Sequence, residues 1–148
     1  WKGLTNCASN TQLGWKLALP VSSAGAEQVI YNPILSFGSF IVNTTIPAVN
    51  SPITCNASAA SGWTMAVDVS TGGAFQKSFF GDVSKNFVTS NGSVVSGIAL
   101  NAVGSPSVVT ANKSPWLVNQ TISGIGAVNA INPPAGSKSH KLTWIQKR

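Results

Sequence analysis

Leu13, Trp15, Leu17 and Leu19 alternate with Gly14, Lys16 and Ala18, a period of two that predicts a strand with one buried face, closed by Pro20. Residues 34–42 form a longer apolar run that is too rich in β-branched and aromatic residues, and too interrupted by Gly38, for a helix. Residues 63–69 alternate as cleanly as the first strand and end at the turn Thr71-Gly72-Gly73. Shorter strands are expected over 75–80 and 86–89, on either side of Gly81-Asp82, and Asn91-Gly92 marks a two-residue hairpin. Residues 94–100 fit two periods, since Val94, Val95, Ile98 and Val103 share a helical face, but Gly97 and the β-branched residues favour a strand. Gly104-Ser105-Pro106 and Ser114-Pro115 are expected to bracket a short strand around 108–110. Strands over 116–122 and 125–131 follow, separated by Ser123-Gly124, then a rigid loop over 132–137 and a last strand over 141–145.

Roughly ten short strands with frequent turn signals predict an all-β chain, a jelly-roll-like β-sandwich with immunoglobulin-like Greek-key character. At 148 residues, positions 1–148 make one domain. Trp15, Trp63 and Trp144 fall on alternating apolar faces and are expected in the core. Trp1 and Trp116 are freer to meet a ligand.

Composition narrows the class. Charged residues make up 8% of the chain, against about 25% in an average soluble domain, so hydroxyls, amides and backbone must supply its solvation. That profile suits exported β proteins. The net charge of +6 is dispersed over Lys2, Lys16, Lys77, Lys85 and Lys113, with a group at Lys138, Lys141, Lys147 and Arg148. Long-range attraction to an anionic partner follows, but a nucleic-acid surface would cluster its basic residues with aromatic ones, so nucleic acid is not an expected partner. There is no apolar run of membrane-spanning length. A start at Trp1 without methionine and an end just after a strand pattern are expected of a processed or trimmed chain.

Reactive groups are sparse. His140 sits at a loop-strand junction with no nucleophile elbow in the chain. Asp68 on a strand and Asp82 in a Gly-Asp turn read as solvent-facing carboxylates rather than an acid-base pair. No catalytic residue, metal site or cofactor is expected. Asn43, Asn56, Asn91, Asn112 and Asn119 begin N-x-S/T sequons, several of them expected by chance in so polar a chain. Cys7 and Cys55 could close a large loop, a crosslink worth about 4 kcal/mol in the loop-entropy model. Two buried free thiols in a reducing compartment are the alternative.

Cys7, the alternating strand, Asn32-Pro33-Ile34-Leu35-Ser36-Phe37-Gly38 and Ile53-Thr54-Cys55-Asn56 together resemble the opening of a chaperone-usher fimbrial tip adhesin, and Lys141-Leu142-Thr143-Trp144-Ile145 resembles a strand near the end of its receptor-binding domain. The resemblance implies a lectin-like sandwich, a Cys7 to Cys55 disulfide and a receptor site at one end. It also implies a C-terminal domain beyond this chain that engages pilin subunits and a periplasmic chaperone. In mannose-binding members an Asn-Asp pair follows the second cysteine. Here Asn56 matches, but Ala57 stands where the acid would be and the later loop has no carboxylate, so an acidic glycan, a matrix protein or an apolar surface is the expected receptor.

The function expected is therefore non-catalytic attachment of an exported protein at the bacterial cell surface, at a fimbrium tip. Its receptor contacts are expected to be Trp1, Asn56, Ser58, Asn132, Ser137, Lys138 and His140. A polymerising structural subunit, either a pilin or a viral jelly-roll capsid or spike protein, is the alternative, and a nucleic-acid-binding β-barrel comes last.

Overall fold

The strands are β1 (Val21–Ser22), β2 (Gly25–Ala26), β3 (Ile34–Ser36), β4 (Ser39–Asn43), β5 (Trp63–Asp68) and β6 (Phe80–Gly81), followed by β7 (Thr89–Ser90), β8 (Ser93–Val94), β9 (Gly97–Ala99), β10 (Ala102–Ala111), β11 (Ser114–Thr121) and β12 (Gly126–Ile131). They come from a computed structural model that describes residues 14–22, 25–48 and 59–134, and no helix occurs among those residues. Trp1, Cys7, Cys55, Asn56, Ser58, Ser137, Lys138 and His140, and with them the disulfide and the final strand, lie outside the described residues.

The chain is all-β, a sandwich of two four-stranded antiparallel sheets ordered β3-β4-β5-β9 and β10-β11-β12-β6, with two small hairpins, β1-β2 and β7-β8. Side-chain alternation decides what each sheet turns inward. Ile41 and Ala66 face Phe80, Leu117 and Ile131 in one buried cluster, with Ile34, Ile98 and Val108 packed on its rim. β4 and β5 are covered on both faces, which is why residues 39–43 read as a continuous run rather than an alternation.

A polar ring ties the two sheets together. Thr64 Oγ1 donates to Asn43 Oδ1 at 2.8 Å, Asn43 Nδ2 donates to Asn119 Oδ1 at 3.0 Å, and Asn119 Nδ2 donates back to Thr64 Oγ1 at 3.4 Å. Asn43 Nδ2 also reaches Gly104 O at 3.0 Å. All three side chains are buried, so each is held by its neighbours instead of water. Beside them, buried Glu27 receives the Thr44 hydroxyl.

Three two-residue hairpin turns, at Phe37-Gly38, Asn91-Gly92 and Asn112-Lys113, have positive φ at both central positions, as a type I′ turn requires. The middle one is the hairpin expected at Asn91-Gly92. The other two divide stretches whose sequence suggested something else. Residues 34–42 are not one strand but β3 and β4 folded on each other. Pro106 and Pro115 do not bracket a short strand either; they lie inside β10 and β11. Pro106 sits where the register shifts between Val103 and Ser107, the bulge that tolerates a missing N–H. Pro115 opposes Thr110, one step from the turn-closing Ala111–Ser114 pair, at a position that needs no ladder hydrogen bond.

Further expectations are corrected. Residues 14–20 are extended but join no sheet. They lie as a strap over the outer face of β4 and β5, with Trp15 edge-on to Phe40 at 5.6 Å between ring centroids. Residues 75–79 are not a strand, because stacking of Phe75, Phe79 and Phe80 folds them into the core. Of the tryptophans placed in the core, Trp15 is half-buried under the strap, whereas Trp63 is 43% exposed on the outer face of β5. Trp116 is half-buried, and its indole N–H donates to Ala111 O at 3.3 Å.

Candidate functional site

Beyond the C-terminal ends of β5 and β12 lies a cleft of about 650 Å3. Its base is aromatic. Phe75 stacks on Phe79 at 5.1 Å, and Phe79 meets Phe80 edge-on at 5.0 Å, so the loop between β5 and β6 is anchored in the core by three rings. Asn132 leaves β12 with its backbone N–H held by Phe79 O at 2.8 Å, which brings Asn132, Pro133 and Pro134 to the opposite wall. Among the described residues the Asn132 carboxamide has no hydrogen-bond partner.

The polar groups come from the turn after β5. Asp68 N–H donates to Gly73 O at 2.9 Å and Gly72 N–H to Asp68 O at 2.7 Å, closing the loop tightly. The Ser70 hydroxyl and amide both donate to Asp68 Oδ1, at 2.5 and 2.7 Å, and hold that carboxyl below the usual carboxylate range. Asp68 is therefore a fixed anion at neutral pH. Thr71, Gln76 and Lys77 complete the polar rim, while Ala74, Phe75 and the two prolines supply apolar surface.

Comparison with protein-family models, with curated proteins and with solved structures finds no match. The geometry of the chain itself has to carry the functional reading.

Of the seven residues expected to contact a receptor, the described structure places Asn132, and places it in this cleft. The other six lie outside the described residues. Asp68, Thr71, Gln76 and Lys77 were not singled out by sequence. The signal available was Asp68 at a strand end, followed by Ser70 and Thr71 and two glycines, a run able to fold its hydroxyls and amides back on a carboxylate. Asp82 behaves as expected of a turn residue, accepting from the Asn86 and Ser84 amides at 2.9 and 2.8 Å, away from the cleft. Among the described residues no three of His, Cys, Asp and Glu come together as a metal site would need, and no helix is long and apolar enough to cross a membrane.

Proposed function

We propose that the chain is a non-catalytic recognition domain of an exported surface adhesin, and that the cleft between residues 68–77 and 132–134 holds an uncharged stretch of glycan. The observation that carries this reading is the composition of the cleft. One fixed carboxylate, two carboxamides and a hydroxyl stand around apolar ring surface, the combination that hydrogen-bonds sugar hydroxyls while packing against their C–H faces. An ionised Asp68 in the wall disfavours an acidic sugar at this position, despite the net charge of the chain. In this reading the fimbrial setting, with pilin subunits and a periplasmic chaperone as partners, rests on the resemblance of residues 7–56.

A panel of neutral and acidic glycans offered to the whole chain tests it. Neutral glycans should be retained, and Asp68→Asn or Asn132→Ala should weaken binding roughly 10-fold or more, the loss of a hydrogen bond to a charged or buried group. Asp82→Asn, outside the cleft, should leave binding unchanged. No retained glycan, or retention indifferent to both cleft variants, would overturn the assignment.

A second reading, a polymerising subunit, is favoured by one observation. Among the described residues β10 forms a sheet edge of ten residues with no charged side chain to guard it. Light scattering separates the two, since a monomer over a wide concentration range supports the recognition domain.

A further inference from the structure

A second hollow lies on the outer face of the β3-β4-β5-β9 sheet, remote from the glycan reading and independent of it. It measures about 180 Å3, between Trp15, Leu17 and Leu19 of the strap and Phe40, Val42 and Met65 of the sheet, with two valines completing a wall of eight apolar side chains. The one N–H in that lining, the Trp15 indole, is already committed to Val69 O at 2.8 Å. A water placed there would lack the two to four polar partners that hold buried water, and apolar cavities of roughly 150 Å3 stay dry and accept benzene or xenon. The mouth is open, with Leu17 and Val29 each nearly half exposed.

The strap itself can adjust. Its hydrogen bonds to other described residues are the Trp15 indole contact and Glu27 N–H to Pro20 O, at 3.2 Å, so a small displacement breaks no sheet ladder. The volume suits one ring and not a peptide segment.

We propose that this hollow is a binding site for a single apolar group, an aromatic ring of the size of benzene or indole. Met65 makes the test direct, because it is the one methionine in the chain and forms part of the wall. In the whole chain labelled with 13C-methyl methionine, titration with benzene and then indole should move that one signal to a saturating value through the ring current of the bound ligand. Val29→Trp, which closes the mouth with a ring of its own, should weaken the effect at least 10-fold, and Leu17→Trp offers the same occlusion from the strap should the first variant fold poorly. Shifts that grow linearly without saturation, or that persist unchanged in a folded occluded variant, would overturn the proposal. So would saturation that appears only as the molecular mass doubles, since the hollow would then belong to a second copy of the chain.

Discussion

Asn43, Thr64 and Asn119 show how a few polar side chains fix the pairing of two apolar sheets. Removing one member of a closed buried ring strands its partners away from water, and the cost is the desolvation of the groups left behind. Asn119→Ala is expected to lower stability by about 2–3 kcal/mol in urea denaturation, with Thr64→Val costing less because it removes a smaller group. Both asparagines begin sequons, and only their strand position hints at another role. Asn43 lies two residues after Ile41 and Asn119 two after Leu117, on the same inward face. The alternation held that information, but hydropathy alone ranks an amide as outward.

Titration at the residue scale has a definite sign. Ser70 lowers the Asp68 pKa and Asn86 lowers that of Asp82, each through hydrogen bonds to the carboxylate. Their contribution is present above the unfolded value near 3.8 and is lost as pH falls through the lower folded values. The melting temperature should therefore be insensitive to these two groups near neutrality and fall below about pH 4. Asp68→Asn and Asp82→Asn should flatten that acid limb, which a series of thermal melts measures.

At the scale of elements, turns and prolines decided what the sequence could reveal. Asn91-Gly92 was legible because glycine takes positive φ at no cost, whereas the turn at Asn112-Lys113 was hidden by a lysine at φ 59°. Lys113→Gly should accordingly stabilise the chain by about 0.5–1 kcal/mol, read from the shift of the denaturation midpoint. The prolines misled for the opposite reason. Pro106 and Pro115 look like strand terminators, yet a bulge and a non-bonded ladder position absorb them. Residues 14–20 carry a strand pattern because they present one apolar face to the sheet, and periodicity does not distinguish a strap from a ladder member.

The turn over residues 69–73 connects the strap to the cleft. A Cβ on Gly72 would fall 2.4 Å from the Trp15 ring, and its φ is 69°, so Gly72→Ala combines backbone strain with eviction of the indole. We expect a loss of about 1–3 kcal/mol and a red shift of tryptophan emission as Trp15 leaves its seat. Equilibrium denaturation followed by fluorescence reads both. The same turn carries Asp68 and Thr71, so the variant should also weaken whatever the cleft binds.

For the whole molecule, the sandwich class was legible from short alternating strands, while the site was not. A cleft is assembled by residues far apart in sequence, and nothing in the spacing of Asp68, Lys77 and Asn132 announces that β5 and β12 end side by side. Charge balance there also departs from the +6 of the chain, since Asp68 faces Lys77 across one opening. Binding of a neutral glycan should then vary little between low and high salt, unlike attraction of an anion to dispersed lysines.

The most direct test of the recognition site is amide chemical-shift mapping of the whole chain, titrated with a neutral glycan retained from the panel. Saturating shifts confined to residues 68–77 and 132–134 are the predicted result. Shifts clustered on another face, with these segments silent, would contradict it.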